Sequence, residues 1–275
     1  MGAVAFVLGC FNLIMADMKQ AFTEIIVYRK AFAALIFQYF KLKYRRTLLG
    51  YFWVILNPLL MWTVLAVVFS ELLERELMDF AFLLFSVLPA WNLLSGSTIQ
   101  TTTVFHINEP LLKKIYVPKI LLPVTSVIGN LGDAFFFAAP IFLVLAFGGA
   151  FNLQVLVYFP LIFASFLCFV VGVVLVTSLL SVYFRDFQWL VPIAFQALFF
   201  MTPILYEKKL VSGLLLSITT VNPLTPYMSA LKDIFYFGVP PQTSDLWIGL
   251  GFGLASLTMG LVLFSRFQDR LIFRL

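Results

Sequence analysis

The sequence predicts an all-α polytopic membrane protein with six transmembrane helices, an amphipathic N-terminal interface helix and both termini in the cytoplasm. Three observations lead to this fold class. The chain of 275 residues is 62% hydrophobic and only 11% charged, with a mean hydropathy of +1.03. Six of its segments are long and apolar enough to cross a bilayer. Its Lys and Arg residues are distributed unequally around those segments, which indicates their orientation.

The six predicted spans follow from length and composition. A transmembrane helix needs about 20 predominantly apolar residues. The segments that meet this requirement are residues 51–70, 80–104, 120–147, 155–182, 189–206 and 246–264. Soluble domains are about a quarter charged, and no stretch of this chain has that composition over a domain's length. We therefore expect one transmembrane domain over residues 47–275 and no large soluble domain.

The positive-inside rule orients the spans. A basic cluster of Lys41, Lys43, Arg45 and Arg46 directly precedes the first span. Further cations lie between spans two and three and after spans four and six. Only four of the 18 Lys and Arg residues fall on the other side: Arg75, Lys208, Lys209 and Lys232. Both termini should therefore be cytoplasmic. The net charge of +5 does not indicate nucleic acid, because its distribution matters more than its sum, and membrane lipids are the expected surroundings.

Residues 22–46 are predicted to form an amphipathic interface helix that ends in the basic anchor. Apolar residues recur there at spacings of three and four among charged ones. Such a helix would lie along the inner leaflet, either as a simple anchor or as a surface that binds a partner. Residues 1–21 form an N-terminal extension of uncertain role.

The longest outer segment, residues 207–245, contains two apolar stretches that are too short to cross the bilayer. We expect short helices here that lie at the outer leaflet or dip into it. The segment precedes the sixth span.

Catalytic and metal-binding chemistry is not indicated. His106 is the single histidine, and Cys10 and Cys168 lie far apart in apolar surroundings, so no metal-ligand cluster is expected. The sequence has no Gly-Lys dipeptide and hence no phosphate-binding P-loop. We predict that this chain is not an enzyme and carries no cofactor. If ATP drives its function, the ATPase is another chain.

Asp133 is the one carboxylate predicted to lie inside a span. An ionisable group in hydrocarbon is costly and is a functional candidate for that reason. Asn130, one helical turn earlier, could share a hydrogen bond with it. The alternative is that Asp133 is paired locally in a helix contact and has a structural role only.

Four motifs, in order, resemble the membrane subunit of polysaccharide-export ABC transporters. The opening of the first span, KYRRTLLGYFWVILNPLLM, resembles that family's basic pair, Leu-Gly, Trp and Asn-Pro-Leu signature. The other three are NEPLLKKIYVPKILLPV from residue 108, YFRDFQWLVPIAFQALFFMTPILY from residue 183, and VNPLTPYMSALKDIFYFG from residue 221. Together these matches extend the resemblance over residues 32–275.

The resemblance implies a homodimer of six-span subunits in a bacterial inner membrane, with two separate ATPase subunits that bind ATP and Mg. It also implies a channel for a lipid-linked polysaccharide such as an undecaprenyl-linked O-antigen. Three alternatives remain open: the same architecture exporting a drug or a lipid, an ion-coupled secondary carrier, and a membrane-bound enzyme of glycan assembly.

The resemblance also suggests which residues act. The loop before span three would contact the ATPase, with Pro110 starting a short helix; its residues are Glu109, Pro110, Leu111, Leu112, Lys113, Lys114, Ile115 and Tyr116. Arg185 and Asp186 form a cytoplasmic turn typical of the family.

Two further sets of residues are predicted to meet the substrate. Arg45 and Arg46 would hold its diphosphate through paired guanidinium donors, or would only anchor the topology. The outer segment would close the channel, with its aromatic residues contacting the passing glycan: Tyr227, Phe235, Tyr236 and Phe237.

Overall fold

The computed structural model describes residues 27–43, 50, 52–148, 154–207, 211–271 and 274. Within these ranges the chain forms helices and no β-strand, which confirms the all-α prediction. Two short 3₁₀ segments, Val155–Tyr158 and Gln268–Arg270, lie directly before one α-helix and directly after another. In chain order the α-helices are α1, Arg29–Lys43; α2, Phe52–Leu72; α3, Leu77–Thr101; α4, Val104–Ile107; α5, Glu109–Lys114; α6, Leu121–Gly148; α7, Phe159–Tyr183; α8, Phe187–Met201; α9, Gly213–Val221; α10, Thr225–Phe235; and α11, Thr243–Phe267.

Five helical segments in the described ranges are long and apolar enough to cross a membrane. They are Ile55–Leu72, Leu77–Thr101, Leu121–Ala138, Val155–Tyr183 and Thr243–Arg270. Each coincides with a predicted span, so the polytopic membrane architecture is confirmed. The orientation of the termini stays a prediction.

The fifth predicted span differs from the expectation. Residues 189–206 were expected to form one continuous helix, but α8 has 15 residues and ends at Met201. Thr202 adopts an extended conformation with φ −96° and ψ 140°. It precedes Pro203, which disfavours helical geometry in the residue before it. At 1.5 Å per residue α8 is about 22 Å long, shorter than a hydrocarbon core of about 30 Å. Six spans therefore stay a prediction, with α8 as the short member.

Helix α3 lies at the centre of the bundle and contacts α2, α6, α7, α8 and α10. Aromatic rings fix its neighbours on two sides. On α2, Trp62 packs edge-on against Phe85, with ring centroids 5.4 Å apart. On α8, Phe199 packs edge-on against Trp91 at the same distance. These contacts hold the short α8 against the spanning helices.

Helices α7 and α11 form the most extensive helix pair. Small residues lie at their crossing, where a side chain would collide with the facing backbone. Gly172 on α7 faces Ser256 on α11, and the Ser256 hydroxyl donates a hydrogen bond of 3.0 Å to the Phe169 carbonyl. In a membrane, helices associate through such close packing, because burial from lipid supplies little hydrophobic driving force.

Helix α1 falls within the predicted interface segment 22–46 and packs against α6. The Tyr39 ring fills the space over Gly129, and the Phe40 ring lies over Gly132. A spacing of three residues places both glycines on one face of α6. They form a notch that receives two neighbouring rings of α1.

Candidate functional site

A polar cavity of about 530 Å³ lies between α1, α2, α3 and α6. Its wall combines two tryptophans with amide, hydroxyl and charged side chains. The residues that carry this chemistry are Lys43, Trp53, Asn57, Trp62, Asn92, Ser95, Gln100, Asn130 and Asp133. Ligand cavities usually measure about 300–1,000 Å³ and place a few convergent polar groups in a largely apolar wall. The cavity has the size and composition of a ligand site.

Lys43 and Asp133 form an ion pair that joins α1 to α6. Asp133 is only 4% exposed. The Lys43 amine also donates a hydrogen bond of 3.1 Å to the Tyr39 hydroxyl. Burial by itself would lower the pKa of the Lys43 amine, but its hydrogen bond to Asp133 and its interaction with Tyr39 raise that pKa above the ordinary value. Lys43 is therefore cationic at neutral pH.

The sequence suggested that Asn130 could share a hydrogen bond with Asp133, but it does not. Its amide nitrogen donates to the Gln100 side chain and to the Ser126 carbonyl, both at 2.8 Å. Asp133 is instead paired across a helix contact with a residue 90 positions earlier in the chain. Whether either residue has a functional role beyond this contact stays a prediction.

The predicted ATPase-facing loop folds as expected into a short helix, α5, with Pro110 in its first turn. No residue of α5 is buried. Glu109 and Lys113 form an ion pair one turn apart, and this hydrogen bond lowers the pKa of the Glu109 carboxyl. The loop therefore presents a short, charged and accessible helix.

Apolar side chains at the end of this loop are exposed as well. Ile115 is 55% exposed and Tyr116 is 74% exposed. The Tyr116 ring lies 5.9 Å from the ring of Tyr28, which directly precedes α1. The loop expected to contact an ATPase is thus adjacent to the start of α1, for which a partner-binding surface was one of the two expectations. Leu112 is partly buried and packs against the core that includes Leu122.

The Arg185–Asp186 turn connects α7 to α8, and both residues are exposed. Asp186 is the N-cap residue of α8 but makes no side-chain capping bond. The turn is held by its backbone, through a hydrogen bond of 3.0 Å from the Trp189 amide to the Asp186 carbonyl.

The outer segment folds into α9 and α10, the two short helices expected there. The turn between them is fixed by Asn222. Its amide nitrogen donates to the Thr202 hydroxyl at 2.9 Å, and its oxygen accepts from the Leu224 amide at 3.0 Å. The Thr225 hydroxyl donates to the Thr219 carbonyl at 2.6 Å. The segment is thereby tied to the end of α8.

The four aromatic residues expected to contact a glycan have different environments. Tyr227 is buried, and its hydroxyl donates a hydrogen bond of 2.5 Å to the Gly249 carbonyl. Phe235 packs edge-on against Phe159. Burial and the hydrogen bond to Asp79 raise the pKa of the Tyr236 hydroxyl to about 12. Phe237 is 45% exposed, the most accessible of the four. Their contact with a glycan stays a prediction.

Lys232 is a buried lysine that was not predicted as a site residue. Its amine donates hydrogen bonds to the carbonyls of Pro203, at 2.6 Å, and Tyr206, at 2.8 Å. Burial lowers the pKa of this amine to about 7, against the opposing effect of Glu207. Its burial could have been predicted from helical spacing, because Lys232 lies one turn after Met228 on the apolar face of α10. The residue links α10 to the turn that follows α8.

Arg45 and Arg46, the predicted diphosphate-binding pair, lie outside the described residues, as do residues 1–26. Among the described residues, no group of three or more His, Cys, Asp or Glu side chains is arranged to hold a metal ion.

Comparison with known proteins places this architecture in a family. The model of the family described as ABC-2 type transporter matches residues 30–236. Two proteins from Klebsiella pneumoniae, both named O-antigen export system permease protein RfbA, are 28% identical over 200 residues and 27% identical over 234 residues. These matches cover 72% and 84% of this chain and 77% and 89% of the relatives. A Myxococcus xanthus protein of the same name is 29% identical over 229 residues, covering 81% of this chain and 86% of that protein. The resemblance found in the sequence is confirmed.

Proposed function

We propose, since this chain belongs to the ABC-2 type transporter family, that it is the membrane subunit of an ATP-driven exporter of a lipid-linked polysaccharide. It is a multi-pass inner-membrane permease subunit and not itself a catalyst. The observation that carries the choice of cargo is the shared name of three relatives, O-antigen export permease, over at least 72% of this chain. An undecaprenyl-linked glycan of the O-antigen kind is the cargo we propose.

Two copies of the chain would form the channel, and two ATPase subunits would drive it. The full sequence contains no P-loop, so ATP and Mg would bind to the partner. The exposed α5 and the side chains of Ile115 and Tyr116 support this assignment. An apolar group beside a charged helix on the surface is typical of a protein interface. Movement of the ATPase would reach the spans through α1 and α5.

The outer helices α9 and α10 would close the channel between transport cycles. A resting channel wide enough for sugars would leak ions, so something must seal it. The hydrogen bonds of Asn222 and Lys232 support this proposal, because they couple both helices to the end of α8. Motion of α8 would then be transmitted to the outer segment.

Deletion of the gene in its native bacterium tests the proposal. We expect the surface polysaccharide to disappear and the lipid-linked polysaccharide to accumulate in the inner membrane, with both effects reversed by a plasmid copy. Purification of the complemented chain from native membranes should recover an ATPase chain with it. Unchanged surface polysaccharide would exclude this cargo. Transport that persists without an ATPase but stops when the proton gradient collapses would establish an ion-coupled carrier instead.

A further inference from the structure

The cavity between α1, α2, α3 and α6 contains polar side chains that the fold itself does not use. Asn57 and Asn92 border it, and their side-chain amides make no hydrogen bond within the part of the chain that the structure describes. Asn92 is partly buried and Asn57 is exposed, and an amide left without a partner inside a membrane would be strongly unfavourable. Both side chains therefore need polar ligands or water in this position.

Asp133 adds a second unsatisfied group. One of its carboxylate oxygens accepts from Lys43, while the other, Oδ1, is buried and has no hydrogen-bond partner among the described residues. Leaving such an acceptor unsatisfied is unfavourable, because the hydration lost on burial is not replaced. Asp133 lines the cavity, so a ligand bound there lies beside this carboxylate. A ligand that brings a hydroxyl donor would satisfy it.

The charged groups in the described part of the wall favour a neutral ligand. The Lys43 amine and the Asp133 carboxylate are the only ionisable groups in its described wall, and they neutralise each other. The remaining polar groups are side-chain amides, the Ser95 hydroxyl and the indole N–H groups of two tryptophans, which offer donors and acceptors together. A phosphate would require unpaired cationic donors. Hydroxyl groups, which also donate and accept, match this set.

Trp53 supplies an apolar surface at the mouth of the cavity. It is 40% exposed, whereas Trp62, deeper in the wall, is buried against Phe85 and Phe137. An indole face offers flat apolar area to the C–H face of a sugar ring while amides bind its hydroxyls. A flat aromatic surface beside side-chain amides and a carboxylate is the chemistry that recognises a pyranose.

We propose that this cavity is a carbohydrate-binding site for uncharged sugar residues of the exported glycan. The inference rests on the proposed function, since it assigns that cargo a place on this chain. Asn92 and Asn57 bind hydroxyls, Asp133 accepts from one of them, and Trp53 stacks on the ring. With the N-terminus cytoplasmic, as the charge distribution predicts, the site lies in the inner half of the membrane. The glycan then meets it before the outer helices.

The test measures binding to the full-length chain reconstituted in nanodiscs. The probe is the polysaccharide that mild acid releases from the native cells, cut to short oligosaccharides and titrated by calorimetry. We expect Trp53→Leu and Asn92→Leu each to weaken binding by about tenfold, the scale of one lost hydrogen bond or stacking contact. Trp53→Phe should restore most of the affinity, because it retains an aromatic face.

Trp189→Leu is the matched control. Trp189 is 70% exposed on α8 and does not line the cavity, so its loss should leave the affinity unchanged. Thermal unfolding shows which variants are folded, and only those are compared. The site is excluded if the folded cavity variants bind as the wild type does, or if the control loses as much affinity as they do. Failure of the oligosaccharide to bind the wild type also excludes it.

The deletion experiment separates this inference from the proposed function. If deletion leaves the surface polysaccharide intact, the proposed cargo is wrong, and the cavity loses its assignment with it. If deletion removes the surface polysaccharide while the cavity variants bind and export normally, the cargo is right and only the site is wrong.

Discussion

The crossing of α7 and α11 has no room for a side chain at position 172, so Gly172→Ala tests how the bundle is held. A methyl group there would lie 2.2 Å from the carbonyl carbon and oxygen of Ser256 and 2.4 Å from its hydroxyl. Ordinary van der Waals contact begins at 3.4 Å. Because two of these atoms belong to the backbone, no rotamer change can relieve the collision. The helices must separate locally by about 1.2 Å, the difference between 3.4 and 2.2 Å.

The energetic consequence is the balance of three effects. Overpacking of this kind costs about 1–3 kcal/mol. The separation also lengthens the 3.0 Å hydrogen bond from Ser256 to the Phe169 carbonyl beyond bonding range, and such bonds between membrane helices contribute about 0.6 kcal/mol on average. Replacing glycine by alanine inside a helix stabilises the helix by about 0.8–1 kcal/mol. We expect a net destabilisation of about 1–2.5 kcal/mol.

Gly251→Ala is the control on the same helix pair. A methyl group at Gly251 would meet no atom within 4 Å. Only the gain in helix propensity remains, so this variant should be as stable as the wild type or more stable. Unfolding of the purified chain in mixed micelles, followed by circular dichroism as SDS increases, measures both differences. The argument from close packing is refuted if Gly172→Ala is as stable as Gly251→Ala.

Three further predictions concern charged residues. The pKa of Lys232 is about 7 in the folded chain and near 10.5 when unfolded, so between these values the unfolded chain binds more protons and stability rises with pH. The thermal midpoint should therefore rise from pH 7 to pH 9 in the wild type and much less in Lys232→Met. Equal rises of the midpoint in both proteins would contradict this. Changing Lys113 and Lys114 to Glu should uncouple ATP hydrolysis from export while the chain still inserts into the membrane. Surface-polysaccharide and ATPase assays on the same membranes measure this. Normal export would show that α5 does not transmit the movement of the ATPase. Changing Arg45 and Arg46 together to Lys should abolish export if paired guanidinium donors hold the diphosphate, since lysine keeps the anchoring charge but cannot donate in parallel; export at the wild-type level would leave only the anchoring role.

The spanning helices were predictable because the bilayer constrains them strongly. A segment in hydrocarbon must satisfy its own backbone, so apolar length alone indicates a helix. The end of α8 was not predicted, because the segment that ends at Tyr206 stays apolar past the point where the helix stops. The conformation of Thr202 before Pro203, and not hydropathy, sets that boundary.

The polar cavity illustrates what sequence cannot supply. Asp133 was identified as a candidate because a carboxylate in a span is rare. Its partner, Lys43, was counted as part of the basic anchor, and nothing in the sequence connects residues 90 positions apart. Asn57 and Asn92 lie on different helices, and their convergence depends on how each helix is rotated about its axis. Hydropathy fixes the length of a span but not its rotation, so the cavity becomes visible only in three dimensions.

The contact between α1 and α6 connects the surface proposed to receive the movement of the ATPase to the proposed sugar site. Tyr39 and Phe40 fill the notch over Gly129 and Gly132, where added methyl groups would lie 2.4 and 2.8 Å from the rings. One turn beyond Tyr39, Lys43 reaches Asp133 in the wall of the cavity. A displacement of α1 must therefore either move α6 with it or break the Lys43–Asp133 pair. Breaking that pair would leave a buried carboxylate without its cation, which is strongly unfavourable. Concerted movement of α1 and α6 is thus the lower-energy response, and it would change the shape of the cavity whenever a partner displaces α1.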